Sequence, residues 1–166
     1  VLFRSAVLGA TKFLTNADTD NGLMGATWVD IDNNGTADVV YATDLKGRVW
    51  KFDIRSSNPQ EWGSALVSRT TTTAQNGDSQ VVEQAIPLFT ALDADNQPLP
   101  ITTPPAVFFP NFGGTMIGFG TGRSIEGADF PDTSTVQRFF AVWDKGRYAG
   151  DRVNPPRSEE HTSELQ

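Results

Sequence analysis

The chain has 166 residues, of which 13 are basic and 20 acidic, with one histidine and no cysteine. A net charge of −7 without a basic cluster argues against nucleic acid, whose phosphates need Lys and Arg to displace their counterions. No apolar run approaches the roughly 20 residues that span a bilayer, and the lack of cysteine rules out disulfide staples while leaving the compartment open.

The two ends are related in an unusual way. Arg157 to Gln166, RSEEHTSELQ, back-translates into DNA that looks like a short-read sequencing adapter. Val1 to Ser5, VLFRS, back-translates into the reverse complement of that tail's first five codons. Protein chemistry gives two termini no reason to be reverse complements. Residues 1–5 and 157–166 are therefore expected to be translated adapter, and residues 6–156 the natural segment whose fold is read below. On that reading His161 drops out, 13 basic residues become 11 without Arg4 and Arg157, and 20 acidic ones become 17 without Glu159, Glu160 and Glu164. The net charge is then about −6, the segment holds neither His nor Cys, and targeting information is absent.

In chain order, the apolar pattern is mostly of period two. Ala26 to Asp30, Val39 to Thr43 and Arg48 to Ile54 are predicted strands separated by Asn-Gly and Lys-Gly turns. In the third, Trp50, Phe52 and Ile54 share one face, and Val49, Lys51 and Asp53 the other. Ser56 to Gln80, rich in Ser, Thr, Asn and Gln, reads as a long loop with one edge strand near Ala65-Leu-Val. Pro87 to Leu92, Ala106 to Phe109, Met116 to Gly120 and Arg138 to Trp143 continue the strand series. Gln97 to Pro105 is a proline-punctuated approach, and Gly127 to Val136 a further loop. No stretch carries a helical stripe over three turns.

A faint repeat runs through this series. Val39-Val-Tyr-Ala-Thr-Asp then Val49-Trp-Lys-Phe-Asp matches Ile117-Gly-Phe-Gly-Thr-Gly then Phe140-Ala-Val-Trp-Asp in type. Repeats of short antiparallel strands mark propeller blades, each of which buries its faces against its neighbours. The predicted fold class is all-β, an incomplete β-propeller of about two antiparallel blades with long loop insertions.

One stretch carries chemistry. In Asp30-Ile-Asp-Asn-Asn-Gly-Thr-Ala-Asp38, oxygen-bearing side chains fall at positions 1, 3, 5 and 9: Asp30, Asp32, Asn34 and Asp38. Gly35 at position 6 permits a sharp bend, and Thr36 at position 7 offers its carbonyl. Three carboxylates within nine residues repel unless a cation sits among them. Position 12 is Tyr41 rather than glutamate and the flanks are strand-like, so an EF-hand is excluded while an EF-hand-like calcium loop is expected. The alternative is an Asn34-Gly35 hairpin turn decorated with solvated acids. It leaves the acids at positions 1, 3 and 9 without a common cause.

Other features are weaker. Asp18-Thr-Asp-Asn-Gly22 and Asp93-Ala-Asp-Asn-Gln97 lack later ligands and read as turns. Gly118-Phe-Gly-Thr-Gly-Arg-Ser124 lacks the Lys-Ser/Thr ending and following helix of a phosphate loop, so its glycines are assigned to close blade packing. Trp28, Trp50, Trp62 and Trp143 are expected in blade cores rather than in a stacking site. No nucleophile elbow appears, no histidine is available to activate a serine, and no enzyme is expected.

The run WVDIDNNGTADVVYATDLKGRVWKFDI, Trp28 to Ile54, resembles the C-terminal β-propeller of the PilY family, the calcium-binding type IV pilus biogenesis factors and tip adhesins. It departs from the family pattern at Thr43, where glycine is usual. Pro87-Leu-Phe-Thr-Ala, Pro100-Ile-Thr, Phe119-Gly-Thr-Gly-Arg123 and Phe140-Ala-Val-Trp-Asp144 follow in the family's order. The resemblance implies calcium held by Asp30, Asp32, Asn34, the Thr36 carbonyl and Asp38. It also implies control of pilus extension against retraction, with surface motility and adhesion. The implied partners are pilins and minor pilins, with host or surface receptors, and the implied location is the exported pilus tip, cell surface, outer membrane or periplasm. The rivals are an integrin-like repeat, a quinone-dependent dehydrogenase, and a structural blade whose loop binds nothing.

Overall fold

The computed structural model describes residues 20–73, 76–123, 125, 127–129 and 135–146. The two stretches expected to be adapter, residues 1–5 and 157–166, and the limits of the 6–156 segment lie outside them. Among the described residues, ten strands form three antiparallel sheets, and the helical content is two short 3-10 turns at Pro59–Glu61 and Gly127–Asp129.

The first sheet is built from β1 (Leu23–Val29), β2 (Val39–Asp44), β3 (Arg48–Asp53) and β4 (Gly63–Ser64), in that order, with β7 (Phe89–Thr90) also on β3. The register runs Val29↔Val39 and Trp28↔Val40 on one side of β2, and Tyr41↔Lys51 and Ala42↔Trp50 on the other. Alternation does what the pattern predicts. Ala42, Trp50 and Phe52 pack together on one face with Leu23, Val40 and Ala85. Val39, Tyr41 and Val49 join Val29, Ala91, Leu99, Ile101, Ile117 and Phe119 on the other.

The second sheet has the order β10 (Phe139–Asp144), β9 (Thr115–Gly120), β8 (Ala106–Phe108). Both halves of the sequence repeat thus fold as antiparallel pairs, β2 with β3 and β9 with β10. An aromatic trio joins the sheets: Phe89, Phe119 and Phe140 lie with ring centroids 5.2–5.8 Å apart. The Pro100 to Pro105 segment is stitched along the first sheet, Thr27 donating to the Pro105 carbonyl at 2.6 Å and Thr43 to that of Thr103 at 3.0 Å. On the outward side of the second sheet, Phe139 is 71% exposed and Phe108 50%.

Two buried polar knots hold this frame. Asp44 is fully buried at the end of β2. Its Oδ1 accepts from the backbone amides of Lys46 and Arg48, both at 2.9 Å. Its Oδ2 accepts from Asn21 Nδ2 at 2.7 Å and from Arg48 Nε and Trp50 Nε1, each at 2.9 Å. The Arg48 guanidinium also lies 5.3 Å from the Trp50 ring centroid. The second knot crosses between the sheets: Lys51 Nζ and the Tyr41 hydroxyl both reach Asp144 Oδ2 at 2.6 Å. Lys51 is only 2% exposed.

The β2–β3 turn, Leu45-Lys46-Gly47, needs its glycine. Gly47 has φ +71°, the left-handed conformation that ends a three-residue hairpin loop. A Cβ there would lie 2.5 Å from the Leu99 carbonyl oxygen and 2.8 Å from that of Ala91. Gly47→Ala is expected to destabilise by about 2–3 kcal/mol from backbone strain and crowding. Urea denaturation checks this; an unchanged midpoint would mean that the Ala91–Leu99 segment moves aside freely.

Two expectations are corrected. Ser56 to Gln80 is not one long loop, because β5 (Val67–Thr73) pairs with β6 (Ser79–Ala85) in a separate two-stranded ribbon. Every described residue from Arg69 to Gln84 is exposed, so no apolar alternation marks the ribbon, although threonine favours extended backbone. Trp28, expected in a blade core, is 73% exposed on β1. Trp50 is fully buried as expected, while Trp143 is 38% exposed and packs edge-on against Phe112 at 5.0 Å.

Candidate metal centre

The 30–38 loop connects β1 to β2 and is closed at its base by the sheet itself. The Asp38 amide donates to the Val29 carbonyl at 2.8 Å, and the Asp38 carbonyl accepts from Ile54 at 2.9 Å. Asp38 therefore belongs to the sheet by its backbone and to the loop by its side chain. Its carboxylate Oδ2 accepts from the amides of Ile31 at 2.7 Å and Asp32 at 3.4 Å.

At the tip, carboxylates gather backbone amides. Asp30 Oδ1 accepts from Asn34 at 3.2 Å and Oδ2 from Gly35 at 2.7 Å. Asp32 Oδ1 accepts from the Asn34 amide at 3.1 Å, and Oδ2 from Asn34 Nδ2 at 2.8 Å. The chain can turn this tightly because Asn33 and Gly35 take positive φ, 60° and 90°, which Asn and Gly tolerate. This nine-residue arrangement is not the two-residue Asn34-Gly35 hairpin turn considered above.

The folding of the loop brings Asp30, Asp32 and Asp38 together, with one oxygen from each lying within 4.8 Å of the others. Opposite oxygens on a calcium ion stand about 4.6–5.2 Å apart, so the three carboxylates fit within one hard-cation shell. Their burial is graded, Asp38 buried, Asp30 intermediate and Asp32 exposed, which opens the cluster to solvent on one side. Asn34 Oδ1 is engaged locally: it accepts from the Thr36 amide at 2.9 Å and from the Thr36 hydroxyl. Asn34 as a ligand would have to exchange those bonds for the cation.

The neighbouring acids do other work. Asp93 Oδ1 accepts from the amides of Asp95 and Gln97, each at 2.8 Å, which makes Asp93 to Gln97 the turn its sequence predicts. Part of the Asp18 to Gly22 stretch lies outside the described residues. Asp53, at the end of the Trp-x-Phe-Asp strand, is raised by burial, but hydrogen bonds from Arg55, with the charges of Arg55 and Lys51, hold its carboxyl below the ordinary aspartate range. Sequence reasoning missed the Asp44 and Asp144 knots. The only trace of them was an aspartate closing each of these strands.

Antiparallel blades carrying an acidic strand-loop-strand centre define a β-propeller segment with a candidate site for a hard cation. The chain belongs to the PilY1 β-propeller domain family, whose model matches residues 9–161. It is 31% identical over 160 residues to the type IV pilus biogenesis factor PilY1 of Pseudomonas aeruginosa, covering 88% of this chain and 13% of that protein. It is 32% identical over 126 residues to a PilY1 homolog of Xylella fastidiosa, covering 76% of this chain and 8% of that protein. The crystal structure of the P. aeruginosa PilY1 C-terminal domain superposes with a TM-score of 0.68 at 26% identity, over 88% of this chain and 31% of that one. The chain thus spans about an eighth of the P. aeruginosa relative's length. These relatives are named as pilus biogenesis factors, not as enzymes.

Proposed function

We propose that this chain is a calcium-binding, non-catalytic propeller segment of an exported type IV pilus assembly and adhesion protein, in which the ion held by the 30–38 loop regulates pilus extension against retraction. The observation that carries the reading is the convergence of Asp30, Asp32 and Asp38 within 4.8 Å. Asn34 and the Thr36 carbonyl complete the proposed shell, as the EF-hand-like spacing implies. Calcium neutralises the mutually repelling carboxylates and fixes the edge of the first blade. That blade surface is then presented to pilins and minor pilins, or to a host or surface receptor, at the pilus tip or cell envelope. The names of the relatives favour this reading over an integrin-like repeat or a quinone-dependent dehydrogenase.

Calorimetric titration of calcium into the protein tests it. Saturable binding is expected in the wild type, with at least about a tenfold loss in Asp30→Ala, since one of three anionic ligands is gone. If wild type and variant take up calcium alike, the loop is not the site.

A further inference from the structure

The inter-sheet knot and the acidic loop share one strand. Asp38 forms the rung with Val29 and Ile54 that precedes β2, and its carboxylate holds the loop amides of Ile31 and Asp32. Three residues on, about 10 Å along an extended strand, Tyr41 donates to Asp144 of the second sheet. Tyr41 stands opposite Lys51 in the β2–β3 register, and Lys51 is the cation paired with the same Asp144 oxygen. Asp144 in turn pairs with Thr115 at the start of β9, and both are buried.

We propose that these parts form one conformational unit, so that docking of the second sheet on the first sets the order of the 30–38 loop. The physical reason lies in what the loop must do to open. Swinging the Asp38 carboxylate outward relieves its repulsion by Asp30 and Asp32, but it releases Ile31 and strains the Val29–Asp38–Ile54 rung. Fraying along β2 from that rung passes the Val39 and Val40 pairs and then reaches Tyr41. There it is arrested, because pulling the phenol away withdraws a hydrogen bond from a buried charged pair, and such bonds are stronger than neutral ones. The second sheet therefore clamps the loop from a distance without touching its carboxylates. By reciprocity, whatever tightens the loop also favours the docked sheets. That last arm rests on the calcium reading given above; the clamp does not.

Amide hydrogen exchange on the 166-residue chain, in EDTA, tests the clamp directly. Tyr41→Phe keeps the ring and removes only the hydroxyl. It is expected to raise exchange at Ile31, Asn34, Gly35 and Ile54 about tenfold, the worth of one hydrogen bond to a charged group. The ribbon amides, Thr70 to Thr73, should not change. Lys51→Met is the second variant, replacing the ammonium with an apolar side chain of similar length. Loop exchange unaltered in both variants while their circular dichroism stays native would overturn the proposal. So would a uniform rise across loop and ribbon, which would report global loosening only. A parallel calcium titration separates the two readings. Absence of calcium uptake by the wild type would defeat the metal assignment alone, whereas equal affinity in wild type and Tyr41→Phe would defeat the coupling alone.

Discussion

Replacing Asp144 with alanine is expected to cost about 3–5 kcal/mol, because it removes the carboxylate that contacts the buried Lys51 ammonium in the sheet interface. Single domains have only about 5–15 kcal/mol of stability to lose, so this one substitution would remove a large share of it. The Tyr41 hydroxyl loses its hydrogen bond to Asp144 in the same step. Removing the whole pair is a different matter. Lys51→Met with Asp144→Leu removes both charges of the pair together and is expected to fall within about 1 kcal/mol of wild type, or above it. Urea denaturation followed by tryptophan fluorescence gives both numbers. If Asp144→Ala costs less than about 1 kcal/mol, water reaches Lys51 and the interface is looser than its burial indicates.

Asp44→Ala is expected to be comparably damaging, at about 3–5 kcal/mol, for a reason local to one hairpin. Five donors converge on its two oxygens: Asn21, the Lys46 amide, the Arg48 amide and side chain, and Trp50. Alanine removes all five of these bonds at once, and with them the charge that the buried Arg48 side chain pairs with. Asp44→Asn keeps one acceptor oxygen but turns an amide donor toward donors, and should cost about 2 kcal/mol. The expected order in thermal melts is therefore wild type, then Asn, then Ala. Equal melting of the Asn and Ala variants would show that charge, rather than acceptor number, sets the cost.

These knots mark the boundary of what the sequence reveals. Strands β2, β3, β9 and β10 were legible because their side chains alternate between the two faces of a sheet, at least one of them packed, and alternation is a local property. The acidic loop was legible for a related reason: its three carboxylates lie within nine consecutive residues, so chain spacing alone brings them together. Lys51 shows where local reading stops. The pattern placed it on the face opposite Trp50, correctly, but only the fold brings up Asp144 to neutralise it there. Trp28 failed in the other direction, since an aromatic residue on a strand signals burial only if something covers that face. The ribbon went unread because its residues face solvent on both sides, and a strand with no buried face has no period to detect.

That ribbon has a consequence of its own. Its described residues from Arg69 to Gln84 contribute nothing to either hydrophobic cluster, and it joins the frame through two short stems, at Leu66 and Ile86. A protruding loop of this kind can be lengthened, trimmed or exchanged at little cost to the rest of the fold. Among the described residues it is therefore a segment free to diverge between relatives, and a natural place to splice in an epitope or a fluorescent reporter while leaving the acidic loop and the inter-sheet knot as they are.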